Sequence, residues 1–395
     1  MHWQSWKAAA CLVFGLATVS QANTLTVGNR QVPIEVSEGL EVEALNTQLR
    51  GPRFMAFASN GDLLVGSKSG TVYRLKPPYT QAESLINFGG YPHSIAFRMT
   101  KQGEELWIAE TNGLYRGYYD ADRRYQRQDF TRVAALPGGG GHTSRTVNVG
   151  PDDRIYVSLG ITGNCSNEYL SPEYPFNARR GGIMVLDESR ATPELVTYAN
   201  GLRNPIGFAW NPETALMYAN NNGPDHLGFD EPQEVFVEVK EGDFFGMPWY
   251  QYVDGQFVRD QCISVTPPQT INNAKAALTL LPARSAPMGL AFPKHGDLGD
   301  RFAGHAFMAI RGSWGTPPAG GATGDISGRR DPRIITIHVE KTSLSKPQVS
   351  ELVGGFQYAN GQRWARPVGL AFGPDGNLYF TSDEGIQGLF RVKLK

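Results

Sequence analysis

Six segments of the chain share one pattern of apolar and polar positions: a short apolar run, a turn rich in Gly, Asn, Asp or Pro, and a second run of alternating character. They are RFMAFASNGDLLVGS from Arg53, HSIAFRMTKQGEELWIAE from His93, RTVNVGPDDRIYVSLG from Arg145, PIGFAWNPETALMYANN from Pro205, PMGLAFPKHGDLGDRFAGHAFMAI from Pro287 and PVGLAFGPDGNLYFTSD from Pro367. Period-two alternation predicts strands, and the turn predicts that each pair is antiparallel. Such a unit cannot bury its own apolar face, so the copies must pack on one another. Radial packing of small sheets gives an all-β fold, a six-bladed β-propeller.

The spacing between copies widens from 40 residues (Phe57 to Phe97) to 82 (Trp210 to Phe292). Units of common propellers run at roughly 40 to 50 residues, so the later blades carry insertions. These are expected at Pro248 to Pro282 and at the glycine-rich Gly312 to Arg333, as irregular loops at the blade ends. The alternating stretch from Thr24 to Leu49 has no partner copy. It is expected to close the ring against the last blade and so remove an open edge.

Composition fits a turn-rich exported globule. The 395 residues include 46 Gly and 26 Pro, and the formal net charge of −1 argues against a nucleic-acid or membrane surface. The repeats run through nearly the whole length, so residues 23–395 are read as one propeller domain. Residues 1–22 read as a signal peptide: Lys7, an apolar run from Ala8 to Val19, then Ser20-Gln21-Ala22. Export to the periplasm or beyond follows, with no membrane span in the mature chain. Removal of Cys11 with the leader leaves Cys165 and Cys262, two thiols free to pair in an oxidising compartment.

Candidate chemistry gathers just before or just after the repeats. Gly138-Gly139-Gly140-Gly141-His142 reads as a flexible glycine run delivering one imidazole to a blade end, where it can act as a base; otherwise it is a solvated loop histidine. Arg203-Asn204 offers planar, directed donors for an anionic or carbonyl-bearing ligand, or else a surface turn. The loop from Asn220 to Glu231 is rich in oxygen donors around Gly223-Pro224 and suits a hard cation such as calcium. Arg311 and Arg366 stand at blade ends from which arginines converge on a polyanion. Trp249, Trp314 and Trp364 are candidate pocket walls or core.

In order, His142 ahead of Gly150-Pro151-Asp152, Gly201-Leu202-Arg203-Asn204-Pro205, Asn222-Gly223-Pro224-Asp225, Ser285-Ala286-Pro287-Met288-Gly289-Leu290 and Arg366-Pro367-Val368-Gly369 resemble the glucose/sorbosone dehydrogenase family. The likeness is to its L-sorbosone dehydrogenase-like branch and covers roughly Glu38 to Lys395. It implies a six-bladed, exported enzyme that uses pyrroloquinoline quinone (PQQ) and Ca2+ to oxidise aldoses or related aldehydes, passing electrons to an unknown periplasmic acceptor. It implies further that His142 is the catalytic base and that Arg203 polarises the reduced cofactor. Asn204, Arg311 and Arg366 would be cofactor contacts, and the carbonyls of Gly223 and Pro224 calcium ligands.

Departures from the family pattern fall on the same elements. Arg311 stands where relatives favour His, and Gly315-Thr316-Pro317 replaces their Asn-Arg run after Trp314. Val368 replaces a second cofactor-binding arginine, and Asp153 replaces a turn glycine. Two other classes stay open. A calcium-dependent lactonase-like hydrolase would use Asp225, Asp230 and Glu231, and a non-catalytic sugar-binding propeller would keep only the scaffold.

Overall fold

The computed structural model describes residues 21–339 and 347–395. The proposed leader therefore lies outside the described residues, apart from Gln21 and Ala22, which begin the strand Gln21–Val27. The described chain forms six four-stranded antiparallel blades around one axis. In each blade the repeated segment supplies the two innermost strands. In blade 1 these are Pro52–Phe57 and Leu63–Ser67, in blade 3 Arg145–Val149 and Ile155–Leu159, and in blade 6 Ala365–Phe372 and Leu378–Gly385. The outer strands carry no shared signature because they face different neighbours.

Crowding at the axis explains the Pro-x-Gly that opens the later copies. A Cβ on Gly289 would sit 2.6 Å from the Val368 carbonyl oxygen, and one on Gly369 would sit 2.5 Å from that of Arg53. Only glycine lets adjacent inner strands come so close. Polar side chains then stitch neighbouring blades to the carbonyls left bare there. Ser94 donates to Arg145 O at 2.9 Å, Thr146 to Ile206 O at 2.6 Å, Asn220 to Met288 O at 2.7 Å and Thr381 to Arg53 O at 2.6 Å.

The core is divided among the blade interfaces. Trp107, Val147 and Val157 fill the space between blades 2 and 3, and Phe208, Ala219 and Ile183 that between blades 3 and 4. Phe307, Phe356 and Phe380 belong to the interface of blades 5 and 6. Each slab removes apolar surface that neither blade covers alone, so stability is shared around the ring.

The N-terminal stretch differs from the expected single closing strand. Leu40–Asn46 does close the ring, pairing with Gly388–Leu394 as the outer strand of blade 6. Gln21–Val27 and Arg30–Val36 instead form a hairpin that extends blade 5, through Glu35 opposite Gly354. Alternation alone could not say which edge each strand would join. The insertion at Pro248 to Pro282 also departs from an irregular loop. It holds a hairpin, Tyr250–Val253 with Gln256–Arg259, and the outer strand of blade 4, Thr279–Leu281. Around it Tyr169, Phe244, Trp249 and Ile263 form a separate small core, and Cys165 and Cys262 are joined by a disulfide with Cα atoms 6.1 Å apart.

Candidate active site

Where a chain enters an innermost strand, or leaves the second strand, it passes the same end of the propeller. Arg53 stands second in the inner strand of blade 1, His142 to Ser144 lead into that of blade 3, Arg203 and Asn204 into that of blade 4, and Arg284 and Ala286 into that of blade 5. Lys68, Asn222 and Gly223, and Arg311 follow the second strands of blades 1, 4 and 5. These residues, with Tyr91, Asp225, Glu234 and Trp314, line a cavity of about 370 Å³. It contains His142, Arg203, Asn204, Gly223 and Arg311 of the sequence candidates.

The His142 ring is half-buried, and its Nδ1 lies 2.5 Å from the carbonyl oxygen of Ile161. A carbonyl only accepts, so Nδ1 carries the proton and Nε2 keeps its lone pair. Burial first, and then the Arg203 charge, lower the pKa to about 4. The imidazole is therefore neutral at pH 7 and ready to accept a proton.

Arg203 is buried and held from both sides. Its Nη1 donates to the carbonyls of Asn222 at 3.2 Å and Gly223 at 2.9 Å, and its Nη2 to Asn164 Oδ1 at 2.6 Å. Burial lowers its pKa to about 10, so it stays cationic at neutral pH. The side-chain amide of Asn204 bonds no protein group among the described residues, although its backbone is fixed by Asn221 and Asn222. Asn164 adjoins the disulfide, which ties the Arg203 anchor to the blade 4 insertion.

Across the cavity, Asp383 is fully buried and accepts from Arg53 and Lys68 at 2.7 Å each and from Arg311 at 2.9 Å. Despite burial, these cations hold its carboxyl well below the usual carboxylate range. Three cations meeting one carboxylate leave an excess of positive charge, to which Glu384 adds a partial balance at 3.1 Å from Arg311. Arg366 takes a different place from Arg311. It does not line the cavity, and its guanidinium is spent on Glu384 and on the carbonyls of Arg311 and Gly312. It therefore shapes the loop that carries Arg311. Trp314 is 52% exposed at the cavity, whereas Trp249 and Trp364 are buried core.

PQQ bears three carboxylates, and the surplus charge of Arg53, Lys68 and Arg311 suits such an anion. The calcium site needs a closer test. The Gly223 carbonyl already accepts from Arg203, and the Pro224 carbonyl from Arg284. Each carbonyl has a second lone pair, so a metal can share it. A lone cation would nevertheless sit beside two guanidinium groups. Glu234, whose burial pushes its pKa up to about 7, accepts the Gly223 N–H at 2.5 Å, and Asp225 pairs with Arg284 at 2.9 Å. These oxygens suit a hard cation when an anionic ligand arrives with it. A second grouping with metal-ligand atoms, His226, Asp260 and Cys262, loses its sulfur to the disulfide. The carboxylates that a hydrolase would gather do not meet: Asp230 is exposed and paired with Arg330 at 2.6 Å, and neither it nor Glu231 lines the cavity.

Sequence reasoning missed Arg53, Lys68, Asp383, Glu234 and Arg284. For two of them a signal existed in the register. Pro52, Pro287 and Pro367 pair with Ser67, Ile310 and Ser382, and the next residue in each case is Lys68, Arg311 or Asp383.

Comparison with known proteins agrees with this architecture. A chain of the Trichoderma reesei carbohydrate-active enzymes family AA12, in an iodide structure, superposes with a TM-score of 0.74 at 18% identity, covering 93% of this chain and all of that one. The holo form of the pyranose dehydrogenase PQQ domain from Coprinopsis cinerea gives 0.65 at 19%, covering 91% and 97%. The PQQ-bound aldose sugar dehydrogenase of Streptomyces coelicolor gives 0.60 at 18%, covering 91% and 100%. At these identities the likeness is one of fold. An uncharacterized protein of Borreliella burgdorferi is 23% identical over 394 residues, 95% of this chain and 96% of that protein. The sequence itself matches the TrAA12-like family over residues 34–241 and 249–390. With that match spanning most of the propeller and every wall of the cavity, the chain belongs to the TrAA12-like family.

Proposed function

We propose that this protein is a PQQ-dependent dehydrogenase that oxidises an aldose, a sorbosone-like sugar or an aldehyde, with His142 as general base. The observation that carries the reading is a neutral imidazole with a free Nε2, set in a cavity where cations (Arg53, Lys68, Arg203, Arg284, Arg311) outnumber the carboxyl groups of Asp225 and Glu234. The PQQ-bound neighbours of the same fold and the calcium structure of the Trichoderma reesei AA12 protein support the cofactor pair. When bound, PQQ would supply the acceptor for the hydride that leaves the carbinol carbon. His142 Nε2 takes the proton of the hydroxyl on that carbon, leaving a lactone from a cyclic aldose or a carboxylic acid from the hydrate of an aldehyde. Arg203 contributes a fixed positive charge beside the base, because its donors are committed to Asn164 and to the 222–223 carbonyls. Arg53, Lys68, Asn204 and Arg311 would hold the cofactor, and Gly223 and Pro224 the calcium.

Export is part of the same proposal, and the disulfide between Cys165 and Cys262, a bond of oxidising compartments, supports it. Intact-mass analysis of protein from the native envelope should give a chain starting near Asn23. The activity test is dye reduction by the apoprotein supplied with PQQ and calcium, across aldoses, sorbosone and simple aldehydes. Absence of any quinone-dependent turnover on that panel rejects the reading. Lactone hydrolysis without quinone would replace it with the hydrolase.

A further inference from the structure

The loop that carries His142 is held by two side chains outside the cavity wall. Arg145 donates through Nη1 to the carbonyls of His142 and Ser144, each at 2.8 Å, and through Nη2 to that of Pro137 at 2.6 Å. Arg180 donates through Nη1 to Gly139 O at 3.1 Å and through Nη2 to Gly138 O. Five carbonyls of one short loop are thus bound by two guanidinium groups, both 0% exposed. On the opposite side the Gly141 N–H donates to Thr162 O at 2.7 Å, and Glu168 fixes Thr162 through its N–H at 2.6 Å and its hydroxyl at 2.8 Å.

The glycines fit this grip. Gly140 has φ +76°, and a Cβ there would lie 2.5 Å from Thr162 Cβ; one on Gly138 would collide with the Asn112 side chain. The run is an exposed turn tied down by these bonds rather than an unheld tether. Holding it with buried cations is expensive, since neither arginine forms an ion pair among the described residues and Glu110 and Glu168 act only through space. What a guanidinium adds over a neutral donor is a fork of five N–H groups in fixed directions, enough to hold several carbonyls at once. The two charges also act on His142, though less than burial and Arg203 do.

We propose that Arg145 and Arg180 are positioning residues for His142: their forks fix the loop so that the ring rests on Ile161 with Nε2 free. This rests on the assignment of His142 as the base. The test is an NMR pH titration of His142 in the apoprotein, with steady-state kinetics of the holoenzyme, for the wild type, Arg180→Gln and Arg180→Lys. Arg180→Gln should raise the His142 midpoint toward the ordinary histidine value and lower kcat by roughly tenfold to a hundredfold, with the sugar KM little changed. Arg180→Lys should keep the low midpoint yet still lose kcat, because it keeps the charge without the fork. A folded Arg180→Gln with wild-type midpoint and kcat overturns the proposal. Should that variant fail to fold, hydrogen exchange of the Gly141 amide in the wild type decides: protection supports the clamp, and exchange as fast as an open loop rejects it. The titration reads the clamp, whereas turnover of His142→Ala reads the base, so the two assignments fail separately.

Discussion

The two walls of the cavity solve the burial of arginine in opposite ways. On the side of blades 3 and 4, Arg145, Arg180 and Arg203 are buried against backbone carbonyls and the Asn164 side chain, with no carboxylate bonded to any of them among the described residues. On the side of blades 5, 6 and 1, Arg53, Arg311 and Arg366 share Asp383 and Glu384. Carbonyl dipoles satisfy donors but cancel no charge, so the first wall stays positive, and that charge adds to burial, the larger effect, in suppressing protonation of His142. Carboxylates cancel part of the charge, so the second wall is a preorganised grip whose residual positive charge suits an anion. One repeat thus places a reactive group on one wall and a binding surface on the other.

The contrast is tested most severely at His142. His142→Ala should lower turnover by roughly 10²-fold to 10⁴-fold while quinone binding survives, because the proposed grip lies elsewhere. The sign of the pH effect follows from the depressed pKa: the ring accepts a proton only above about 4, so wild-type turnover should hold through pH 6 and fall as pH drops toward 4. A rate limb centred near the ordinary histidine value would show that neither burial nor the first wall's charge depresses the ring's pKa.

The second wall fails differently. Asp383→Asn leaves three cations without their shared acceptor and should cost about 3–5 kcal/mol of stability, read by denaturant melts. The folded pKa of Asp383 is depressed, so its contribution is present above the unfolded value of about 3.9 and lost as pH falls toward the folded one. Wild-type stability should therefore drop in strong acid, and Asp383→Asn should lack that part of the drop. An equal acid profile for both proteins contradicts the assignment.

Smaller effects probe the grip itself. Arg311→Met should weaken quinone binding by roughly tenfold to a hundredfold in a calorimetric titration, the usual worth of a charged hydrogen bond. Arg366→Lys should weaken it less than Arg311→Met does, since Arg366 does not line the cavity and acts only through the Arg311 loop. Chelation of calcium should weaken quinone binding, and removal of quinone should weaken calcium binding to the same degree, because the two charges are mutually compensating at Gly223 and Pro224. Quinone affinity unchanged after complete calcium removal would reject that site.

The inner strands are legible in the sequence because they obey one strict rule: two short apolar runs around a turn, with small residues where blades meet. His142, Arg203, Asn204 and Arg311 are legible because they sit at fixed offsets from those runs. Arg53, Glu234 and Arg180 are not, because each looks like an ordinary charge within or beside a strand, and only the packing of the folded chain brings it to the site.

Alternation and turn residues act over a few positions, and they suffice to specify the propeller, the number of blades and the end at which chemistry gathers. The tertiary structure decided which blade edge each N-terminal strand joins, which arginines face the cavity, and whether each meets a carbonyl or a carboxylate. Those outcomes depend on contacts between residues far apart in the chain, such as Arg53 with Asp383, 330 positions away. Local pattern carries no information about such pairings, and it is they that set the charge at the site.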